Sequence, residues 1–153
     1  MFLTKNDLGS TIYEYQIDQI TEGDENIINL AIEAAISEVK SYLTGNHKTE
    51  WLDGRLRYDI EAIFLTTGTD RNALILGHTK TVAKWWLVEL CNADVIYEQA
   101  KERYDRSTAY LKQLARGDIT LNDLPTIDTN SPTNTDTQKE PFRFGSRKKF
   151  NHE

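Results

Sequence analysis

The chain has 153 residues, a length at which one domain is expected, and a formal net charge of −6. An acidic chain argues against a general nucleic-acid binder, and a single cysteine, Cys91, excludes a disulfide framework within one chain. No apolar run approaches the roughly 20 residues that cross a bilayer, and the N-terminus lacks a signal-peptide pattern, so we expect a soluble protein made in a cytoplasm.

The N-terminal part of the chain predicts only short elements. Thr4 is placed to cap one helical turn in TKND. The next stretch, IYEYQIDQI, fits two structures. Tyr13, Tyr15 and Ile17 alternate as in a strand, whereas Tyr13, Ile17 and Ile20 fit one face of a helix, so both interpretations stay open.

A first long helix is predicted over about residues 25–43. Asp24 can accept from the first free backbone N–H groups, and Gly45 suits the left-handed position just beyond the helix. The apolar residues recur at steps of three and four and form one stripe, which comprises Ile28, Ile32, Ala35, Val39 and Tyr42 or Leu43.

A short helix and a second long one follow. RYDIEAIF predicts the short helix, which TTGT ends, with Ile60, Ile63 and Phe64 facing inward. Asp70 is the expected cap of the second long helix, which ends near Cys91. One face of that helix carries Leu76, Ala83, Trp86, Leu87 and Leu90.

The third long helix is predicted to begin at an Asp94 cap and to stop at Gly117. Its apolar stripe runs through Ile96, Ala100, Tyr104, Ser107, Leu111 and Leu114. Only two residues separate Cys91 from Asp94, so the second and third helices should form a tight antiparallel hairpin.

The predicted fold is therefore all-α, a small bundle of three long helices plus short helices, with an extended C-terminal arm. The domain covers residues 1–124 and the arm residues 125–153. We expect the core to contain Ile32, Val39, Trp86, Leu90, Ile96, Leu111 and Leu114.

The arm differs in composition from the domain. Between Pro125 and Glu140 only Ile127 is a large aliphatic or aromatic residue, so this stretch cannot offset its ordering entropy by burial and is predicted to be a polar linker. Residues 1–124 carry 13 basic and 20 acidic side chains, whereas residues 142–153 carry four basic and one acidic. The chain thus ends in a basic, aromatic segment, residues 141–153, which we call the docking arm.

No catalytic grouping is evident in the sequence. His47, His78 and His152 lie far apart with no ligands at metal spacing, so no metal, cofactor or catalytic residue is assigned and an enzyme is not expected. His78 is expected at a surface or an interface. Trp85 and Trp86 point about 100° apart on a helix, which favours one in the core and one at a contact.

Arginine and tyrosine recur beside each other, in RLRYD and again in ERYDRS. Such pairs form helical ion pairs and caps, but they also anchor neighbouring chains at interfaces. We assign the candidate subunit interface to Arg55, Arg57, Tyr58 and Trp85.

Four segments in a fixed order resemble a family of small structural proteins of Mu-like prophages, allied to the head–tail connector (adaptor, or head-completion) proteins of tailed phages. The segments are Ala31 to Leu43 (AIEAAISEVKSYL), Arg57 to Asp59 (RYD), Tyr104 to Gly117 (YDRSTAYLKQLARG) and Leu121 to Pro125 (LNDLP). The insertion TGNHKTEWLDGRL before RYD departs from the family pattern.

The resemblance implies a virion protein of the neck region, made in the cytoplasm of a bacterial host. Such subunits form a homo-oligomeric ring, usually of twelve copies, between the portal protein and the tail or a second connector. DNA passes through the channel without sequence-specific binding, and no membrane is involved. The docking arm would then bind a partner protein through Phe142, Arg143, Phe144, Arg147, Lys148, Lys149 and Phe150.

A different class of function also fits the arm. A non-virion phage protein could bind a partner or nucleic acid through the same basic residues. Four basic residues release about four counterions from DNA, which gives weak and salt-sensitive binding.

Overall fold

The computed structural model describes residues 1–45, 56–91 and 97–127. Within these ranges the chain is helical apart from turns and one isolated antiparallel bridge, between Tyr58 and Thr126. The helices are α1 (Lys5–Leu8), α2 (Glu14–Ile20), α3 (Glu25–Gly45), α4 (Ile60–Leu65), α5 (Ala73–Cys91) and α6 (Tyr97–Arg116), and a 3-10 turn lies at Gly68–Asp70. The predicted all-α bundle of three long helices is confirmed. No helix of the described ranges has the length and apolarity to cross a membrane.

The three long helices pack against one another and form the core. α5 and α6 run antiparallel, because His78 lies against Tyr110 while Trp85, two turns later on α5, lies against Tyr97 at the start of α6. The antiparallel arrangement predicted for these two helices is therefore confirmed. Its connection, including Asp94, lies outside the described residues.

The structure resolves the ambiguous stretch before α3 as a helix and confirms the cap predicted for α3. IYEYQIDQI forms the helix α2, with Ile17 buried and both Tyr13 and Tyr15 exposed. At the start of α3 the Asp24 carboxylate accepts from Asn26 N at 2.8 Å, as predicted for a cap. Gly45, expected just beyond this helix, is its last residue.

The cap of α5 is Asn72, so the assignment to Asp70 was wrong. The Asn72 side-chain oxygen accepts from the backbone N–H groups of Leu74 and Ile75, both at 3.0 Å. Asp70 belongs to the preceding 3-10 turn, and the extended backbone of Arg71 separates that turn from the helix. At the other end of the bundle α6 stops before Gly117, whose φ of 81° is the left-handed geometry predicted there.

The short helices α1 and α4 pack on the bundle, α1 against α5 and α4 against α3. Asp59 caps α4 by accepting from Ala62 N at 3.0 Å, and Ile63 and Phe64 are buried as predicted. The Phe64 ring contacts the ring of Phe2 with centroids 4.7 Å apart. The N-terminal residues are thus part of the core, which the sequence did not indicate.

A nearly buried ion pair holds the N-terminal segment to the loop before α5. Arg71 donates to both carboxylate oxygens of Asp7, at 2.8 and 2.9 Å, and to the Phe2 carbonyl at 2.8 Å. The Asp7 carboxylate also accepts from the backbone N–H and the hydroxyl of Thr4, which completes the cap expected at Thr4. The Arg71 hydrogen bonds, followed by those from Thr4, hold the pKa of Asp7 well below its usual range despite partial burial.

Four of the seven predicted core residues are confirmed, because Ile32, Val39, Leu111 and Leu114 are buried. Leu90 is 44% exposed and was predicted wrongly: Leu87 and Val88 take the core-facing positions near the end of α5. Trp86 is only half-buried, since its indole N–H makes a polar contact described below. Ile96 lies outside the described residues.

Candidate functional site

The root of the C-terminal arm is fixed on the body beside α4. Asp59 N donates to the Pro125 carbonyl at 2.8 Å, and Ile127 N donates to the Arg57 carbonyl at 2.7 Å. These bonds form the antiparallel bridge of Tyr58 with Thr126. The body therefore holds the chain as far as Ile127, three residues beyond the boundary predicted at residue 124.

Tyr58 is buried at the arm root. It is therefore not an exposed anchor for another subunit. Its side chain is 1% exposed, and its phenol oxygen accepts from the backbone N–H of Leu121 at 2.8 Å. The assignment of Tyr58 to a subunit interface is therefore wrong, because a ring within the core cannot contact a neighbour. Arg57 is half-buried at the bridge, and Arg55 lies outside the described residues.

A carboxylate on α3 joins all three long helices. Glu38 accepts from Trp86 Nε1 on α5 at 2.8 Å and from the Tyr104 hydroxyl on α6 at 2.6 Å. Burial, followed by the hydrogen bond to Glu38, raises the pKa of Tyr104 far above its ordinary value of 10.0. Each carboxylate oxygen is engaged within the fold, so this group, the Glu38 node, favours a structural role.

Trp85 is half-buried on the adjoining surface of α5 and α6. Its ring stacks on Tyr104 with centroids 5.1 Å apart and meets Tyr97 at 5.3 Å. Tyr97 is 38% exposed. Of the two tryptophans, Trp86 packs against the core but keeps some exposed surface, and Trp85 lies at the contact of α5 with α6. Trp85 remains a candidate for contact with a second subunit.

His78 lies between α5 and α6, where it contacts Ser107. The His78 Nδ1 and Ser107 Oγ atoms are 2.7 Å apart, and the imidazole stacks on Tyr110 with centroids 4.6 Å apart. Burial lowers the pKa of His78. A serine beside a histidine can act as a nucleophile, but Ser107 is only 4% exposed and the pair is a contact between helices. His78, expected at a surface or an interface, is half-buried at the contact between α5 and α6.

The described ranges also contain a shallow pocket at the arm root. Ile63, Asp70, Asp123 and Pro125 are among its lining residues, and Asn72 Nδ2 donates to Asp123 at 2.6 Å. Within residues 1–45, 56–91 and 97–127 no three histidine, cysteine or carboxylate side chains are grouped in a way that could hold a metal ion. The pocket therefore offers two carboxylates, one of them already hydrogen-bonded.

The most exposed aromatic rings of the described residues lie at the start of α2. The rings of Tyr13 and Tyr15, which are 67% and 65% exposed, stack with centroids 5.7 Å apart. Lys5 Nζ donates to Asp18 at 3.0 Å, and its pKa is raised by that bond and, to a smaller extent, by the charges of Glu25 and Glu14. The surface formed by Tyr13, Glu14, Tyr15, Asp18 and Glu25 is named the tyrosine face. Sequence reasoning missed it, although residues 14–25 contain five acidic residues and no basic one.

The partner-binding residues predicted in the docking arm cannot be placed on this body. Phe142, Arg143, Phe144, Arg147, Lys148, Lys149 and Phe150 all lie outside the described residues, as do His47 and His152. The structure shows where the arm begins, at the bridge between Tyr58 and Thr126 beside α4.

A scan of family models finds no match, and searches of curated proteins and of solved structures find none either.

Proposed function

We propose that the chain is a virion structural protein, a head–tail connector subunit that forms a ring between the portal and the tail of a phage and extends the DNA channel. The observation that carries the proposal is that the four segments of the family resemblance are joined in pairs by hydrogen bonds, the first segment to the third and the second to the fourth.

The contacts involve the residues that define each segment. Glu38, in the first segment, accepts the hydroxyl of Tyr104, which opens the third. Tyr58, at the centre of RYD, accepts from Leu121, which opens the closing LNDLP segment. Asp59 N donates to Pro125 O, the last residue of that segment. The resemblance therefore describes one folding unit that ends at the arm root, which supports treating its four segments as one family pattern.

The polar groups of the described core also favour an assembly role over catalysis. Glu38 is engaged by two helices, Asp7 by Arg71, and His78 by Ser107. Residues left exposed include the aromatic groups Tyr13, Tyr15 and Tyr97. Exposed tyrosines are enriched at protein–protein contact surfaces.

The acidic charge of the chain and the composition of the docking arm also support the proposal. A channel for DNA is better lined by acidic than by basic groups, since lysines and arginines would retain phosphates. Trp85 and Arg57 supply contacts between ring subunits, and the docking arm, from Phe142 to Phe150, binds the portal or the tail. Burial of the three phenylalanines favours that docking by up to about 3 kcal/mol each.

The proposal is tested by negative-stain electron microscopy of the purified protein, alone and mixed with the portal protein encoded in the same genome. We expect ring-shaped density added to one end of the portal. A gel-shift assay with duplex DNA at low salt tests the other class of function. Failure to bind the portal, together with a shift that vanishes as salt rises, would favour a nucleic-acid-binding protein.

A further inference from the structure

We propose that in the free subunit the docking arm lies on the tyrosine face of its own body. The tyrosine face combines two exposed aromatic rings with three carboxylates, Glu14, Asp18 and Glu25, whose charges act on the Lys5 ammonium group. This inference concerns the subunit before assembly and does not depend on the identity of the later partner.

The charges of the two segments are complementary. Residues 141–150, PFRFGSRKKF, contain four basic residues and no acidic one. Residues 14–25 contain five acidic residues and no basic one, and Lys5 pairs with Asp18 alone among them at hydrogen-bond distance. Opposite charges steer such surfaces together and fix which faces meet.

The apolar groups match as well. Tyr13 and Tyr15 stack on each other, and both side chains remain about two-thirds exposed. Phe142, Phe144 and Phe150 can pack against these rings, and Arg143 or Arg147 can stack a guanidinium on an exposed tyrosine face. The face therefore offers the docking arm both kinds of contact that its composition demands.

The linker is long enough for docking within one chain. The last described residue, Ile127, is fixed beside Tyr58, and α4 carries Phe64, which contacts Phe2 three residues before Lys5. The 14 residues from 128 to 141 span up to about 46 Å when extended. A body of this size has a diameter of about 35 Å.

Docking on the same chain is favoured over docking on a second copy in dilute solution. A linker whose length suits the span gives the tethered segment an effective concentration in about the millimolar range. Contacts of modest affinity are then occupied within one chain at protein concentrations too low for association between chains. Binding to a portal or another partner must displace the arm from the tyrosine face.

Paramagnetic relaxation enhancement on the full-length protein tests the proposal. A nitroxide is attached at Ser146→Cys in a Cys91→Ser background, and backbone amide signals are compared before and after reduction of the nitroxide. We expect amides of residues 13–25 to lose most of their intensity, at low salt and independently of protein concentration. An equal mixture of isotope-labelled and spin-labelled chains should show no such loss.

Charge-removing variants test whether the tyrosine face is the surface at which the spin label causes the loss of intensity. Glu14→Gln, Asp18→Asn and Glu25→Gln together should restore most of the lost intensity. The control, Glu89→Gln with Glu98→Gln and Asp118→Asn, removes the same number and kinds of exposed acid elsewhere and should leave the loss unchanged. Loss centred on another surface, equal loss in the mixed sample, or loss that survives the first variant would each overturn the proposal.

Discussion

The phenol oxygen of Tyr58 accepts a hydrogen bond from the backbone N–H of Leu121, 63 positions later in the chain, at 2.8 Å. Tyr58 also forms the bridge with Thr126, so one buried residue fixes both the loop after α6 and the start of the arm. The position at which the arm begins is therefore fixed on the body, beside α4.

Removal of the Tyr58 hydroxyl should weaken the attachment of the arm root while the aromatic ring stays in the core. We expect Tyr58→Phe to lower the free energy of unfolding by about 1 kcal/mol, since the partly buried N–H of Leu121 loses its partner. Urea denaturation measures the loss, and faster amide exchange at Leu121 locates it. Tyr15→Phe is the control, because its ring is 65% exposed. Equal effects of the two changes would contradict the role assigned to Tyr58.

Two leucines on neighbouring helices test the core. Leu111 is fully buried and Leu90 is 44% exposed. Leu111→Ala should cost roughly 2–5 kcal/mol, through lost burial and the cavity that remains. Leu90→Ala should change stability by less than about 1 kcal/mol, as is usual for exposed sites. Thermal unfolding of both variants gives the comparison, and a midpoint unchanged by Leu111→Ala would contradict the bundle.

The sequence predicted the helices but not every contact among them. Periodicity located α3, α5 and α6, because a long amphipathic helix repeats its signal over several turns. It failed at the last turns of α5, where Leu90 continues the apolar stripe although Leu87 and Val88 face the core. It also misjudged Tyr58, since an Arg-Tyr-Asp triplet looks the same in sequence whether the ring is buried or exposed.

The ion pair of Asp7 with Arg71 should make stability depend on acid pH. The pKa of Asp7 is depressed in the folded state, so its contribution is complete above the unfolded value near 3.8 and is lost as the pH falls toward the folded pKa. We expect the difference in unfolding free energy between the native protein and Asp7→Asn to be constant near neutral pH and to shrink below about pH 4.

Chemical denaturation across this pH range measures that difference. Glu102→Gln is the control, because Glu102 pairs with Arg106 at the surface, where its side chain is 73% exposed and little stability is expected from the pair. A difference for Asp7→Asn that stays constant down to the lowest pH at which the protein folds would contradict the assignment.

The Glu38 node should stabilise the folded state through both of its hydrogen bonds. Glu38→Gln removes the charge that Trp86 and Tyr104 donate to, and hydrogen bonds to charged groups contribute about 1.5–3 kcal/mol. The pKa of Tyr104 should fall but remain above its ordinary 10.0, because burial is the larger cause of its rise. Alkaline titration of tyrosinate absorbance measures the change. Glu33→Gln, an exposed change on the same helix, should leave that titration unaltered.

The candidate surfaces were harder to predict than the fold. Sequence reasoning placed function in the docking arm, where composition changes abruptly, and in Trp85, which is half-buried beside Tyr97. It gave no weight to the tyrosine face, because that face forms only when α2 is a helix and Lys5 brings α1 against it. Contacts between short helices leave no periodic signal, so only the fold could reveal them.

The last prediction separates apolar from charged docking by the arm. Phe142→Ala with Phe144→Ala should impair incorporation into phage particles more than Lys148→Gln with Lys149→Gln. Ordering about thirteen residues costs on the order of 10–25 kcal/mol of conformational entropy. Charge pairs at an interface rim contribute about 0–1 kcal/mol each and cannot offset that cost. Each buried phenylalanine contributes up to about 3 kcal/mol, and backbone hydrogen bonds to a partner must supply much of the rest.

The measurement is the amount of this protein in purified particles from phages that carry each pair of changes. Unfolding midpoints of the isolated variants serve as the control, because they show whether the body of each variant is folded before its incorporation is compared. If the lysine changes abolished incorporation while the phenylalanine changes had no effect, the arm would act by charge, and docking of its aromatic residues into partner pockets would be wrong.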